Sequence, residues 1–152
     1  MTLPPDVART WCENYAVNTI VCYYAEEARK AGIDFSVRLE LPKQLSINEA
    51  ELCSIFGNLL ENALDACKEE KEDGRKIIVR AGMTGGSFCA TVDNTFTGSL
   101  RYTGDGDLIS TKHKGHGLGT QSVKIIAEKY HGICRLESRD GMFFASVMCQ
   151  RE

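Results

Sequence analysis

The sequence predicts a two-layer α/β sandwich (an α+β arrangement), in which three helices cover one face of a mixed sheet of about five strands. Three observations predict it. Helical and strand-like periodicities alternate along the chain, two glycine-containing turns each separate a pair of strand-like segments, and 152 residues suit one domain. The predicted order is helix, strand, helix, two strands, an aperiodic segment, helix and two strands. Strands separated by single helices, together with two hairpins, indicate a mixed sheet.

Three helices are predicted from apolar spacing and from their terminal residues. Apolar residues between Val17 and Ala31 recur at i, i+3, i+4 and i+7, and Gly32 is a natural helix end. The motif Ser46-Ile47-Asn48-Glu49 fits a capping box and predicts the start of the second helix. A glycine cluster precedes the third helix, which Gly132 is expected to end.

Five strands are predicted where apolar and polar residues alternate. They cover residues 33–41, 77–83, 88–92, 133–138 and 142–148. Gly85-Gly86 and Asp140-Gly141 are typical hairpin turns between neighbouring strands. Between about 96 and 114 the periodicity fails and large apolar groups are few, which predicts a lid because ordered domains rarely keep so long a loop without using it.

Composition excludes several classes of protein. The net charge of −3 is typical of neither a general nucleic-acid-binding surface nor an anionic-membrane surface. Seven cysteines are dispersed without a CxxC pair, which indicates a reducing environment rather than a zinc site or a disulfide framework. No apolar run approaches the roughly 20 residues of a membrane span. We therefore expect a cytoplasmic domain without direct nucleic-acid or membrane contact, and expect it to be part of a longer protein.

A polar stripe interrupts the otherwise apolar second helix, in the sequence FGNLLENALDA (residues 56–66). Asn58, Glu61, Asn62 and Asp65 lie at i, i+3, i+4 and i+7, so they share one face. Polar helix faces usually contact water, and this stripe could do only that. Two asparagines, which are weak helix formers, favour a binding site instead.

A glycine cluster at the start of the third helix is typical of a phosphate site. Glycines allow close backbone approach to a ligand, and the free N–H groups of a helix N-terminus favour an anion. Lys112 and Lys114 could add positive charge. A Rossmann motif is not indicated because a long loop, and no strand, leads into the glycines, and a Walker motif is excluded because no GK[ST] follows. Glycine-rich turns also occur as simple turns.

Asp93 and Asn94 lie at the end of a predicted strand, directly before the lid. An acidic side chain there can accept a hydrogen bond from an exocyclic amine such as that of adenine. The same pattern is also common at strand ends without a ligand.

Together, these features resemble the ATP-binding domain of the GHKL superfamily, which includes gyrase, Hsp90, histidine kinases and MutL. NLLENALDA is similar to the family's N box, DNTFTG lies where its first glycine box lies, and STKHKGHGLGT is similar to its second. The resemblance covers nearly the whole chain and implies a Bergerat-type fold with an ATP lid. It looks closest to bacterial sensor histidine kinases of the citrate-sensor and peptide-quorum-sensor branches.

The resemblance also implies roles for particular residues. Asn62 matches the asparagine that holds Mg²⁺, Asn58 is a second polar contact to phosphate or metal-bound water, and Lys112 is the basic residue of the lid. Asp93 matches the residue that binds the adenine amine. Thr95 and Thr97 replace glycines of the first box, which leaves Asn94 as a rival. The expected nucleotide-binding set is Asn58, Asn62, Asp65, Asp93, Asn94, Lys112, Lys114, Gly115, His116, Gly117, Leu118, Gly119 and Thr120, with Asn58, Asn62 and Lys112 as catalytic residues.

The implied activity is phosphoryl transfer from Mg-ATP to a histidine on a separate dimerisation domain, in two-component signalling with a response regulator. Hydrolytic relatives place a glutamate base where this chain has Asn58, and an asparagine cannot accept a proton at neutral pH. The phosphoacceptor and sensor domains are expected outside residues 1–152, in a parent protein anchored in the cell membrane. Three alternatives remain: a stand-alone ATPase or serine kinase with Glu61 as base, a degenerate adaptor domain without catalysis, and a generic α/β domain whose glycines are only turns.

Overall fold

The computed structural model describes residues 10–69, 74–96, 101–102, 108–109 and 118–150. The helices are α1 (Tyr15–Lys30), α2 (Glu49–Glu69) and α3 (Leu118–Lys129), and the strands are β1 (Asp34–Glu40), β2 (Lys76–Thr84), β3 (Ser87–Thr95), β4 (Arg101–Tyr102), β5 (Leu108–Ile109), β6 (Ile133–Arg139) and β7 (Met142–Cys149). The order of helices and main strands is the predicted one. Most of the predicted lid lies outside the described residues, and within it β4 and β5 pair antiparallel.

Five strands form one mixed sheet in the order β1-β2-β3-β7-β6. β1 and β2 are parallel, with α2 as the crossover between them, and the other neighbours are antiparallel. Helix α2 packs against β2 and β3 and lies between α1 and α3. In the described part of the chain the three helices cover one face of the sheet, and no helix covers the other. The predicted fold class is confirmed.

The core lies between α2 and the middle of the sheet. Residues at every second position of the strands point toward the helices and are buried, as the pleat requires. Phe56 of α2 meets Phe88 of β3 edge to face, with ring centres 6.1 Å apart, and each side chain is at most 2% exposed. All seven cysteines are free thiols. Among the described residues no helix is long and apolar enough to cross a membrane.

Local capping differs from the prediction at two helix ends. The N-cap of α2 is Asn48, whose Oδ1 accepts from the backbone N–H of Glu51 at 2.8 Å, so the predicted box between Ser46 and Glu49 is wrong. At the end of α3 the residue with positive φ is His131, at 56°, and not Gly132. Gly132 is needed for another reason, because a Cβ there would lie 1.7 Å from the carbonyl oxygen of Met148.

A single arginine joins the C-terminal ends of α1 and α2. The guanidinium of Arg75 donates to the carbonyl of Ala31 at 2.5 Å and to the carbonyl of Cys67 at 3.3 Å. Carbonyls at a helix C-terminus lack partners within the helix and face the negative end of its dipole. One positive charge therefore provides a hydrogen-bond donor to C-terminal carbonyls of both helices. Gly32, which follows α1, has a φ of 72°.

Candidate functional site

Helix α3 runs antiparallel to α2 and begins beside its middle. At one end, Glu51 near the start of α2 contacts Lys129 and Tyr130, where α3 ends. At the other end, Asn58 of α2 lies against Gly119 in the first turn of α3. The positive N-terminal end of the α3 dipole therefore lies beside the polar stripe of α2.

The contact between Asn58 and Gly119 leaves no room for a side chain on α3. A Cβ added at Gly119 would lie 2.7 Å from Oδ1 of Asn58 and 3.4 Å from its Cβ. The Asn58 carboxamide is held in place because its Nδ2 donates to the carbonyl of Ser54 at 2.7 Å and to the Ser54 hydroxyl at 3.1 Å. Its carbonyl oxygen is left facing the first turn of α3. The glycine here permits close approach between two helices.

Asn62 lies one helical turn beyond Asn58, about 6 Å further along α2. Because α3 runs in the opposite direction, this step takes Asn62 past the N-terminus of α3. Asn62 is half-buried, and no hydrogen bond of its carboxamide is found within the described part of the chain. A carboxamide oxygen is a suitable ligand for Mg²⁺, which binds few protein oxygens and keeps several waters. The residues present therefore fit a magnesium ion beside the α3 N-terminus.

Glu61 and Asp65 occupy the other side of the polar stripe, toward α1. Burial, together with a hydrogen bond to the Glu61 carboxylate, raises the pKa of the Tyr24 phenol, and the negative charge of Asp65 adds to the effect. Tyr24 belongs to α1, so Glu61 is engaged on the flank of α2 opposite to Gly119. The predicted stripe exists, but its two flanks face different helices.

Asp93 and Asn94 point to opposite faces of β3. Asn94 pairs with Ile77 and Phe143, shares their buried helix-facing side, and is only 1% exposed. Its Nδ2 donates to the carbonyl of Thr95 at 2.9 Å, which leaves Oδ1 as an acceptor. Of the two rivals for the adenine contact, Asn94 is therefore the one on the side of α2.

Asp93 lies on the face of the sheet that no described helix covers, paired with Ile78 and Phe144. Burial raises the pKa of its carboxyl group, while the charges of Arg80 and Arg139 oppose that effect. The structure thus does not bring Asp93 together with Asn58 and Asn62. The adenine contact predicted for Asp93 would require its side chain to lie on the opposite, helix-facing side of β3.

The rest of the predicted nucleotide-binding set falls at the start of α3. Lys112, Lys114, Gly115, His116 and Gly117 lie outside the described residues, and Leu118 is described only as the first residue of α3. Thr120, which follows Gly119, is 1% exposed. The described structure thus brings Asn58 against Gly119, with Asn62 one turn further along α2 and Thr120 next to Gly119 in the chain.

A comparison with protein families gives one match, to the GHKL domain, over residues 47–150. The chain belongs to the GHKL family. This match includes α2, β3 and α3, which are the three elements that position the site.

Solved structures with the same fold as this GHKL domain include histidine kinases. The nucleotide-free catalytic domain of histidine kinase ThkA has a TM-score of 0.68 at 16% identity, over 90% of each chain. Full-length ShkA in complex with AMPPNP has a TM-score of 0.64 at 18% identity, over 90% of this chain and 30% of that one. ThkA in complex with response regulator TrrA has a TM-score of 0.67 at 19% identity, over 91% of this chain and 40% of that one. Comparison with curated proteins gives no match.

Three residues around the site of this GHKL domain were not predicted from the sequence. Ser54 holds the Asn58 carboxamide, Tyr24 engages Glu61, and Glu51 contacts the end of α3. Ser54 lies four residues before Asn58, and this spacing was a usable signal because i and i+4 share a helix face. The partners of Tyr24 and Glu51 belong to other helices, so residue spacing within one helix could not predict these contacts.

Proposed function

We propose that this GHKL domain binds Mg-ATP between α2 and the N-terminus of α3, and transfers the γ-phosphoryl group to a histidine on a separate dimerisation domain. The observation that supports it most is the contact of Asn58 with Gly119. It brings the N-terminal end of α3 to the polar stripe of α2. Asn62, whose carboxamide has no hydrogen bond to another described residue, lies one turn further along α2.

The triphosphate would bind at the first turn of α3. Free backbone N–H groups and the positive end of the helix dipole favour phosphate there. The absence of a Cβ at Gly119 lets the first turn of α3 lie directly against Asn58, so its N-terminal amides begin beside the polar stripe of α2. Lys112, Lys114 and Gly115 to Gly117, which immediately precede α3, are proposed to add charge and further amides. The ShkA structure, which contains AMPPNP, has the same fold and supports a nucleotide in this domain type.

Asn62 is the residue proposed to hold Mg²⁺, with Asp65 on the same stripe as a further polar group. When bound, the ion supplies positive charge that offsets the charge of the β- and γ-phosphates. Asn58, bonded to Ser54, fixes the distance between α2 and α3 so that Asn62 and the α3 amides face one ligand. Its predicted contact with phosphate or metal-bound water remains a prediction.

Adenine recognition is proposed for Asn94 rather than Asp93. The Oδ1 of Asn94 faces the helix layer and can accept from the adenine amine, because Nδ2 of the same carboxamide already donates to Thr95. Asp93 faces away from the helices. In the first glycine box of this chain, Asn94 is therefore the residue proposed to contact adenine.

Transfer to a protein is proposed rather than transfer to water. Asn58 cannot take a proton from water at neutral pH, and Glu61, the alternative base, lies on the flank of the stripe that faces Tyr24 of α1, away from Gly119. An asparagine at position 58 suits phosphoryl transfer that depends on positioning and charge, with the lid proposed to exclude water. This argues against the ATPase alternative.

The proposed partners follow from the proposed reaction. The ThkA structure contains the response regulator TrrA, which supports a response regulator as a downstream partner for a domain of this fold. A dimerisation domain bearing the phosphoacceptor, a membrane anchor in the parent protein, and membership of the citrate-sensor or peptide-quorum-sensor branch are further parts of the proposal.

Calorimetric titration with Mg²⁺ and a nonhydrolysable ATP analogue tests the proposal. We expect Asn62→Ala to weaken binding about tenfold or more, because second-shell and first-shell metal contacts are worth at least that much. Gln150→Ala is the matched control, since it removes a carboxamide beside the opposite end of α3 and should change nothing.

Three outcomes would contradict the proposal. Absence of binding by the unmodified chain would favour the adaptor function. Equal binding by the Asn62→Ala variant would remove the proposed metal ligand. Fast hydrolysis of Mg-ATP by this chain alone, lost in Glu61→Gln, would favour the ATPase.

A further inference from the structure

Two polar contacts from described residues of α3 to α2 lie at the end of α3 furthest from the proposed phosphate site. The Lys129 ammonium is 2.8 Å from Oε2 of Glu51, and the Tyr130 hydroxyl hydrogen bonds to Oε1 of the same carboxylate. The Glu51 side chain is only 16% exposed. Both carboxylate oxygens of Glu51 are therefore used to hold one end of α3.

The electrostatics of this contact are favourable on both helices. Hydrogen bonds from Lys129 and Tyr130 hold the pKa of Glu51 below its usual value. Glu51 lies in the first turn of α2, where a negative charge complements the helix dipole, and Lys129 lies in the last turn of α3, where a positive charge does the same. The carboxylate is thus kept ionised and oriented.

The two contacts between α2 and α3 differ in kind. At the N-terminus of α3, Gly119 has no side chain, so it permits close approach to Asn58 but provides no side-chain bond that fixes its position. The apolar packing of α3, through Val123 and Ala127, is non-directional. The contacts with Glu51 at the far end are directional, and they help to fix how far along α2 the helix lies, together with the hydrogen bond from the backbone N–H of Gln150 to the carbonyl of Tyr130 at 2.9 Å. Because α3 is a rigid rod of twelve residues, about 18 Å long, its far end also determines where its N-terminus lies.

We infer that Glu51 is a positioning residue for the nucleotide site. It acts through Lys129 and Tyr130 to fix α3 along α2, so that the first-turn amides of α3 stay level with Asn58 and Asn62. This inference rests on the proposed function and adds a residue outside the binding site.

The test compares Glu51→Ala with Glu49→Ala. Both residues are glutamates in the first turn of α2, so both variants lose the same charge at the same helix end, but only Glu51 contacts α3. We expect Glu51→Ala to weaken binding of a nonhydrolysable Mg-ATP analogue about tenfold, the lower range for residues that orient a metal site. Glu49→Ala should bind as the unmodified chain does. Glu51→Gln keeps an acceptor for Tyr130 but loses the charge, and should fall between.

Adenosine separates positioning from general loss of structure. It has no phosphates and does not need the α3 N-terminus, so its affinity, measured by NMR titration, should be the same in Glu51→Ala. Hydrogen exchange of the ligand-free variant should be faster in α3 and unchanged in β3. If Glu51→Ala does not fold, Glu51→Gln is measured in the same way.

The outcomes separate the inference from the proposed function. Equal affinity of Glu51→Ala and Glu49→Ala for the ATP analogue would overturn the inference alone. A parallel loss of ATP analogue and adenosine would also overturn it, because it indicates a general structural role. An unmodified chain that binds neither ligand would overturn both.

Discussion

The two faces of β3 differ although the residues on them alternate along one strand. On the helix side, Phe88 and Asn94 are at most 2% exposed, and Asn94 is a polar residue between apolar neighbours. On the other side, Cys89 and Asp93 face a surface without a covering helix, and Asp93 has two arginines nearby. A step of one residue along β3 moves a side chain from the core to the other face of the sheet. At the end of the strand, that step separates Asn94, a candidate ligand contact, from the charged Asp93. Adjacent residues can therefore serve as controls for each other.

The largest expected difference between the faces concerns stability. Phe88→Ala should lower the free energy of unfolding by about 3–5 kcal/mol, because it leaves a cavity against Phe56. Cys89→Ala, one residue away, should cost less than about 1 kcal/mol because its side chain packs against no helix. Urea unfolding monitored by circular dichroism measures both. Similar losses in the two variants would show that the uncovered face is also packed.

A smaller difference is expected in nucleotide affinity. Asn94→Ala should weaken binding of adenosine and of the ATP analogue equally, by about fivefold to tenfold, the worth of one hydrogen bond. Asp93→Ala should leave both affinities unchanged, because the carboxylate lies on the other face. NMR titration of folded variants measures the affinities. Loss of binding in Asp93→Ala but not in Asn94→Ala would restore Asp93 as the adenine contact.

The smallest expected difference is a pH dependence of stability. Burial raises the pKa of Asp93 above 3.8, so the native state binds this proton more tightly than the unfolded chain. The stabilisation is complete below that value and is lost as pH rises through the native pKa. Asp93→Asn should therefore gain stability relative to the unmodified chain as pH rises from about 3.5 to about 7, because the neutral amide avoids the cost of a buried charge.

Glu51 is a control for that measurement, because its pKa is shifted in the opposite direction and its effect on stability should have the opposite pH dependence. Its pKa is lowered from 4.5, so its stabilisation is present above pH 4.5 and is lost as pH falls through the native pKa. Glu51→Gln should therefore be destabilised at pH 7 and approach the unmodified chain in acid. If the stability difference between Asp93→Asn and the unmodified chain does not change with pH, or changes as expected for Glu51, burial does not disfavour the charged form of Asp93.

Most of the fold could be predicted because periodicity reports which face of an element is buried. Burial alternates along most of β2 and β3, with exceptions at Met83 and Asp93, and Gly85 and Gly86 have the positive φ values that their hairpin turn requires. The start of α2 was placed wrongly because Ser46 and Asn48 can both cap a helix. Ile47 and Leu52, both buried, flank Asn48 as a hydrophobic staple would, and this pattern was present in the sequence.

The site could be predicted only in part. The stripe of Asn58 and Asn62 follows from helical spacing, and the glycines before α3 follow from what a phosphate site needs. The choice between Asp93 and Asn94 as the adenine contact required the strand register, which shows the face of the sheet on which each side chain lies. Motif matching does not give this register, because Thr95 and Thr97 replace glycines of the first glycine box. Glu51 could not be identified because its partners are 78 and 79 residues away. Contacts of that range depend on how helices pack, and helix packing is a property of the whole domain.

Arg75 has a consequence for how motion could pass through the domain. One guanidinium donates to the C-terminal carbonyls of both α1 and α2, so an axial shift of either helix would strain or break its own bond to Arg75. A pull or twist applied to α1 would reach α2 through Arg75 at its C-terminal end, beyond Asn62, as well as through the packing between the two helices. The two helices would then respond to force together, through a link that lies outside the candidate nucleotide site.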